Sequence, residues 1–78
     1  MIEKRLLDLR EDRDLKQKDI AKALNIPART YGNYELGTRA VPLDILVEIA
    51  EFYNTSADYL LGRTNVKEPY PRADEGKL

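Results

Sequence analysis

Arg29 and Asn33 stand four residues apart, about one turn of a helix, and both side chains can read the edge of a base. An arginine fork donates two hydrogen bonds to the O6 and N7 acceptors of guanine. An asparagine amide pairs with N6 and N7 of adenine. Ala28 can meet a thymine methyl or simply pack within its helix, and Thr30 faces either the same edge or the preceding helix. Around this set lie Lys16, Gln17, Lys18, Thr38 and Arg39, side-chain types that hold phosphate oxygens. Arg29 also has a blander reading, as a phosphate contact or a solvated charge, and so has Asn33, because base contacts are the minority in such interfaces. Tyr31 and Tyr34 fall on the inner edge as core residues, from which the Tyr34 hydroxyl can still reach a phosphate. Gly32 is unusual here, since a glycine inside a helix costs about 1 kcal/mol relative to alanine. Close approach of the helix backbone to DNA would offset that cost; the alternative is a site that tolerates a small residue.

Other chemistries have little to work with. The 78-residue chain has no cysteine and no histidine. Disulfides, thiolate zinc sites, a thiol nucleophile and the commonest general base are all excluded. No enzyme activity, metal, cofactor or small-molecule ligand is expected. No apolar run approaches the roughly 18 residues of a membrane span. The opening MIEKRLLDLRED is charged throughout, without a signal-peptide core, so the expectation is no membrane and a cytoplasmic location.

A net charge of −1 argues against a polyanion partner until its distribution is considered. Residues 16–39 hold five bases (Lys16, Lys18, Lys22, Arg29, Arg39) and two acids (Asp19, Glu35), a net of +3. Residues 40–62 hold Asp44, Glu48, Glu51 and Asp58 with no base, a net of −4. The positive half coincides with the candidate contact residues.

Short helices must position these side chains. Ile2, Leu6 and Leu9 recur at helical spacing in residues 2–12. A second helix over 17–24 buries Ile20, Ala21 and Leu24 and turns Lys18 and Lys22 outward. Asn25 suits its end, and Pro27 suits the first turn of a third helix that stops at Gly37. Such a pair of helices, the second with one buried edge and one small polar edge, suits the DNA major groove, which is about 12 Å wide. A fourth helix spans about 43–53, with Leu43, Leu46, Val47, Ala50 and Tyr53 in phase. Ser56 caps a short fifth helix, ADYLL, ending at Gly62. Residues 63–78, with two prolines and many charges, read as a flexible tail or linker following a single domain at 1–62.

The order of motifs resembles the phage repressor, Cro and Xre-type helix-turn-helix family. The carriers are L-x-x-L-R at Leu6–Arg10, Q-x-x-I-A at Gln17–Ala21, N-I-P-x-x-T-Y-x-x-Y-E-x-G at Asn25–Gly37, and S-x-D-Y-L-L-G at Ser56–Gly62. The resemblance implies an all-α, five-helix, lambda-repressor-like helix-turn-helix domain that binds double-stranded DNA and regulates transcription as a repressor or an activator, with a repressor the expectation. It implies that Gln17 touches the DNA backbone, that Ala28, Arg29 and Asn33 read bases, and that Thr38 and Arg39 grip phosphate. It also implies a structural Arg10–Glu35 pair fixing the recognition helix. Two residues depart from the family pattern: Lys16 replaces a Thr or Ser cap, and Pro27 replaces a Ser or Thr cap.

A homodimer on a palindromic site is the implied assembly. Tyr59 and Leu61 are the candidate contacts, on the expectation that some of the late apolar set Tyr53, Tyr59, Leu61 and Val66 stays exposed; the alternative is that these side chains only close the core. Two other readings remain at this level: a protein-interaction module, such as an antitoxin covering a toxin, and a DNA-binding fragment of a longer regulator.

Overall fold

The computed structural model describes residues 2–71. Its helices are α1 (Ile2–Asp12), α2 (Gln17–Leu24), α3 (Ala28–Leu36), α4 (Leu43–Phe52) and α5 (Ala57–Leu60). Among the described residues there is no strand. The fold is all-α, as the apolar spacing predicts.

Each helix contributes one fully buried side chain to a shared core: Leu6, Ile20, Tyr31, Ile49 and Leu60. Burying each aliphatic side chain of this size is worth about 1.5–3 kcal/mol. Around these five, α3 packs on both α1 and α2, while α5 packs on α1 and α4. The recognition-helix candidate thus rests on two supports.

The helices share one ending. Asp14, Asn25, Gly37, Asn54 and Gly62 all have positive φ, one after each helix. At Asn25 the crossed bonds run from its N–H to the Lys22 carbonyl (3.1 Å) and from the Ile26 N–H to the Ala21 carbonyl (3.0 Å). At Gly37 they run from its N–H to Tyr34 (3.2 Å) and from the Thr38 N–H to Asn33 (3.0 Å). These are Schellman closures, which satisfy carbonyls that a helix end leaves free.

The starts differ from one another. The Ser56 hydroxyl accepts the Tyr59 N–H at 3.0 Å, as its position predicts. At α2 the missing hydroxyl cap is offset from the other side, because the Asp19 carboxylate accepts the Lys16 backbone N–H at 2.8 Å. Pro27 is not in the first turn of α3 but is its N-cap, with an extended ψ of 145°. Pro42 plays the same part for α4.

Arg5 of α1 and Arg13 just after it clasp the ends of later helices. Arg13 donates to the Phe52 and Tyr53 carbonyls at 3.4 and 3.2 Å, and its guanidinium lies over the Tyr53 ring. Arg5 donates to the Tyr59 carbonyl at 3.3 Å, with its guanidinium 4.0 Å from the Tyr59 ring centre. A cation at a helix C-terminus and over an aromatic face is favourable on both counts.

The segment after Gly62 departs from the expected free tail over its described part. Arg5 also holds the Thr64 carbonyl and the Asn65 side chain, at 3.2 and 2.9 Å. The Thr55 hydroxyl donates to the Lys67 carbonyl at 2.6 Å, and the Tyr70 hydroxyl to Asp58 at 2.9 Å. Residues 64–70 therefore lie back along α1 and α5 without forming a helix. The rest of the expected tail, residues 72–78, falls outside the described residues.

Candidate nucleic-acid interface

Helix α3 has a buried side and an open side. Tyr31 and Tyr34 are buried, with their rings edge to face at 6.2 Å. At 3.6 residues per turn, Ala28, Arg29, Gly32, Asn33 and Leu36 share the opposite side. Ala28 and Arg29 are exposed and Asn33 is half-buried. Thr30 is half-buried and lies one turn before Tyr34, which puts it off the Arg29–Asn33 face. Of the two orientations open to Thr30, this favours the one toward the core side over the groove edge. Leu36 was missed from the sequence. It is 74% exposed at the end of the open face, where an apolar side chain can meet a thymine methyl. Its one sequence signal was that no core position needed it.

Beneath the open face a charged network ties α3 to α1 and α2. Arg10 Nε donates to Glu35 Oε2 at 2.7 Å, and a second guanidinium nitrogen donates to Oε1 at 3.1 Å. Arg10 also donates to the Leu15 carbonyl at 2.8 Å, so it holds the α1–α2 turn as well. Gln17 Nε2 completes the set, donating to Glu35 Oε1 at 3.0 Å. Burial alone would push the Glu35 carboxyl up. The donors from Arg10 and Gln17, with the Tyr31 hydroxyl close by, outweigh that and hold it below the ordinary range. The Tyr31 and Tyr53 hydroxyls are buried without a partner at full hydrogen-bond geometry. Burial first, and then the Glu35 charge, push both phenols up, Tyr53 to about 12.

The structure gives Gly32 a reason that the sequence did not supply. A Cβ at that position would lie 3.1 Å from Gln17 Oε1. The absent side chain leaves room for the Gln17 amide between α2 and α3, held there by Glu35. Gln17 is thus half-buried and engaged within the protein. Lys16 and Lys18 are exposed at the start of α2, and Thr38 and Arg39 are exposed just after α3. Open basic and hydroxyl groups thus flank both ends of the α3 face. Tyr34 is 3% exposed, which leaves its ring in the core and only the rim of the groove beside Arg39 within reach. Tyr34 is thus a core residue on the inner edge of α3, as its spacing predicts. Tyr59 is also corrected: at 8% exposure under Arg5 it belongs to the core, whereas Leu61 is 46% exposed.

Two short helices meeting at a left-handed Asn25, with the second exposing a small polar face, match a family model described as helix-turn-helix over residues 6–60. The chain belongs to the helix-turn-helix family. The match starts at Leu6 and closes at Leu60, so it takes in the shared core and every residue of the Arg10–Glu35 network. Among its helix-turn-helix relatives, the chain is 38% identical over 65 residues to the HTH-type transcriptional regulator ImmR of Bacillus subtilis, covering 83% of this chain and 51% of that one. It is 37% identical over 71 residues to the HTH-type transcriptional regulator AnsR of the same organism, covering 91% and 61%. It is 33% identical over 70 residues to the cryptic phage CTXphi transcriptional repressor RstR of Vibrio cholerae, covering 87% and 63%. The chain thus spans between half and two thirds of the length of these helix-turn-helix regulators. No solved structure matches it significantly. No helix of the described residues is long and apolar enough to cross a membrane.

Proposed function

We propose that this helix-turn-helix chain is a sequence-specific double-stranded DNA-binding regulator of transcription, acting as a repressor. The observation that carries the reading is the open face of α3, where exposed Arg29 stands beside Ala28, Asn33 and Leu36. That face enters the major groove. Arg29 reads a guanine and Asn33 an adenine, while Leu36 and Ala28 supply apolar contact. Lys16, Lys18, Thr38 and Arg39 hold the phosphates on either side. Gln17 acts from within, keeping α2 and α3 in register through Glu35.

The assembly that suits this unit is a homodimer on a palindromic site, with Leu61 in the contact. The kinship with regulators named for transcription, one of them a phage repressor, supports the regulatory role. The test is a gel shift with duplex from upstream of its own gene against random duplex of equal length. Retention of the upstream duplex under excess random competitor is the expected result. Equal affinity for both, at every salt concentration, would reject sequence-specific regulation.

A further inference from the structure

Glu3 lies in the first turn of α1, yet its side chain reaches the loop after α3. A Cβ built on Gly37 would meet Glu3 Oε2 at 3.1 Å and Cγ at 3.2 Å. Glu3, Gly37, Arg39, Ala40 and Leu61 line one surface groove. Neighbouring cations on α1 are engaged elsewhere. Lys4 pairs with Asp8 at 3.2 Å, and Arg5 is spent on α5 and the segment behind it. Among the described residues, Glu3 itself has no ion pair, and the cation sharing its groove is Arg39.

We infer that Glu3 is an electrostatic brake on DNA binding, acting at the phosphate loop through Arg39. This rests on the reading of residues 37–39 as a phosphate contact. Arg39 has two anions to serve, one of them built into the protein. The groove thereby caps the affinity that the loop gives to any sequence, and leaves selectivity to Arg29 and Asn33. Glycine at position 37 is part of the device, because a side chain there would displace the carboxylate.

The experiment titrates operator and random duplexes with the wild-type chain and with Glu3→Gln, Arg39→Ala, the double variant and Glu48→Gln. Glutamine keeps the shape of Glu3 and removes its charge. Glu48→Gln removes the same charge from the exposed side of α4. Glu3→Gln is expected to tighten both duplexes alike by about two- to fivefold at low salt, as one unit charge acting across a few ångström of solvent would. The gain shrinks as salt rises, exceeds that of Glu48→Gln, and vanishes in the Arg39→Ala background. Wild-type affinity for Glu3→Gln, with Arg39→Ala still weakened, overturns the brake alone. A gain that survives Arg39→Ala overturns the route through Arg39. Unchanged affinity in Arg39→Ala itself removes the phosphate-loop reading and the brake together.

Discussion

Arg29 and Arg39 carry the same charge and do different work in the proposed complex. Arg29→Ala should weaken specific binding by about 1–3 kcal/mol and relax the preference at one base pair, because a bidentate guanine contact is lost. Arg39→Ala should weaken all sequences alike and lower the salt slope by about one unit. Polarisation titrations on single-base operator variants separate the two. An unchanged ratio of specific to random affinity in Arg29→Ala would remove its base-reading role. The Arg10–Glu35 pair acts on stability instead. Both side chains are largely buried, at 16% and 6% exposure, so Arg10→Met should cost about 3 kcal/mol by leaving a carboxylate without its main partner. The pair also sets an acid limb. Because the folded Glu35 value lies below its ordinary 4.5, its contribution is complete above pH 4.5 and is lost as pH falls through the folded value. Denaturant melts across that range should show a shallower acid limb in Glu35→Gln than in the wild type, and parallel limbs would contradict the linkage. At this scale the exposed position of Arg29 on α3 and the Arg10–Glu35 pair were legible from residue type and motif position. Gln17 facing Gly32, and Glu3 facing Gly37, were not, because both depend on how separate helices approach one another.

Helix ends were the most legible elements, and for a physical reason. Left-handed closure favours Gly and Asn strongly, and four of the five closing residues are of those types. Asp14 is the fifth; its short polar side chain tolerates the same conformation. Helix starts were less legible. The Asp19 contribution at α2 and the N-cap prolines depend on ψ values and bonds that residue type alone does not fix. Gly37 and Gly62 offer a matched test of closure. Both have φ near +80°, but a Cβ at Gly62 meets open space whereas one at Gly37 meets Glu3. Gly62→Ala should cost about 1–2 kcal/mol from the left-handed backbone alone. Gly37→Ala should cost more, and Glu3→Ala in the same chain should recover the difference. Thermal melts of the three variants decide it. Equal losses at the two glycines would mean that the Glu3 side chain moves aside freely. The segment at 64–70 was misjudged because its anchors are Arg5, Thr55 and Asp58, distant in sequence, while its own composition signals only polarity.

At the scale of the whole molecule, one recognition helix reads only a few base pairs, too few to select a site in a genome. A two-fold dimer sets a second α3 about 34 Å away, one DNA turn, and doubles the sequence read. The structure narrows where a second copy can touch. Tyr53 and Tyr59 are enclosed under Arg13 and Arg5, so that late aromatic cluster is spent on the core. Away from α3, the large apolar side chains that stay open are Leu61 after α5, Leu43 and Val47 one turn apart on α4, and Val66 and Tyr70 in the segment beyond, at 46%, 76%, 44%, 57% and 62% exposure. Leu61 also lines the groove that contains Arg39, so a copy docked there would adjoin the phosphate loop. A contact of a few aliphatic side chains is small, and dimerisation in free solution should be weak and strengthened by DNA, which holds both copies in place. Sedimentation of the free chain should give mostly monomer, and on a palindromic operator two chains per duplex. Leu61→Lys should leave binding to an isolated half-site within about twofold, the size of a weak surface charge effect. On the full operator it should abolish the cooperative second step. A one-to-one complex of high selectivity, at a site without dyad symmetry, would reject the dimer. Two chains per operator with cooperativity intact in Leu61→Lys would move the contact away from the end of α5.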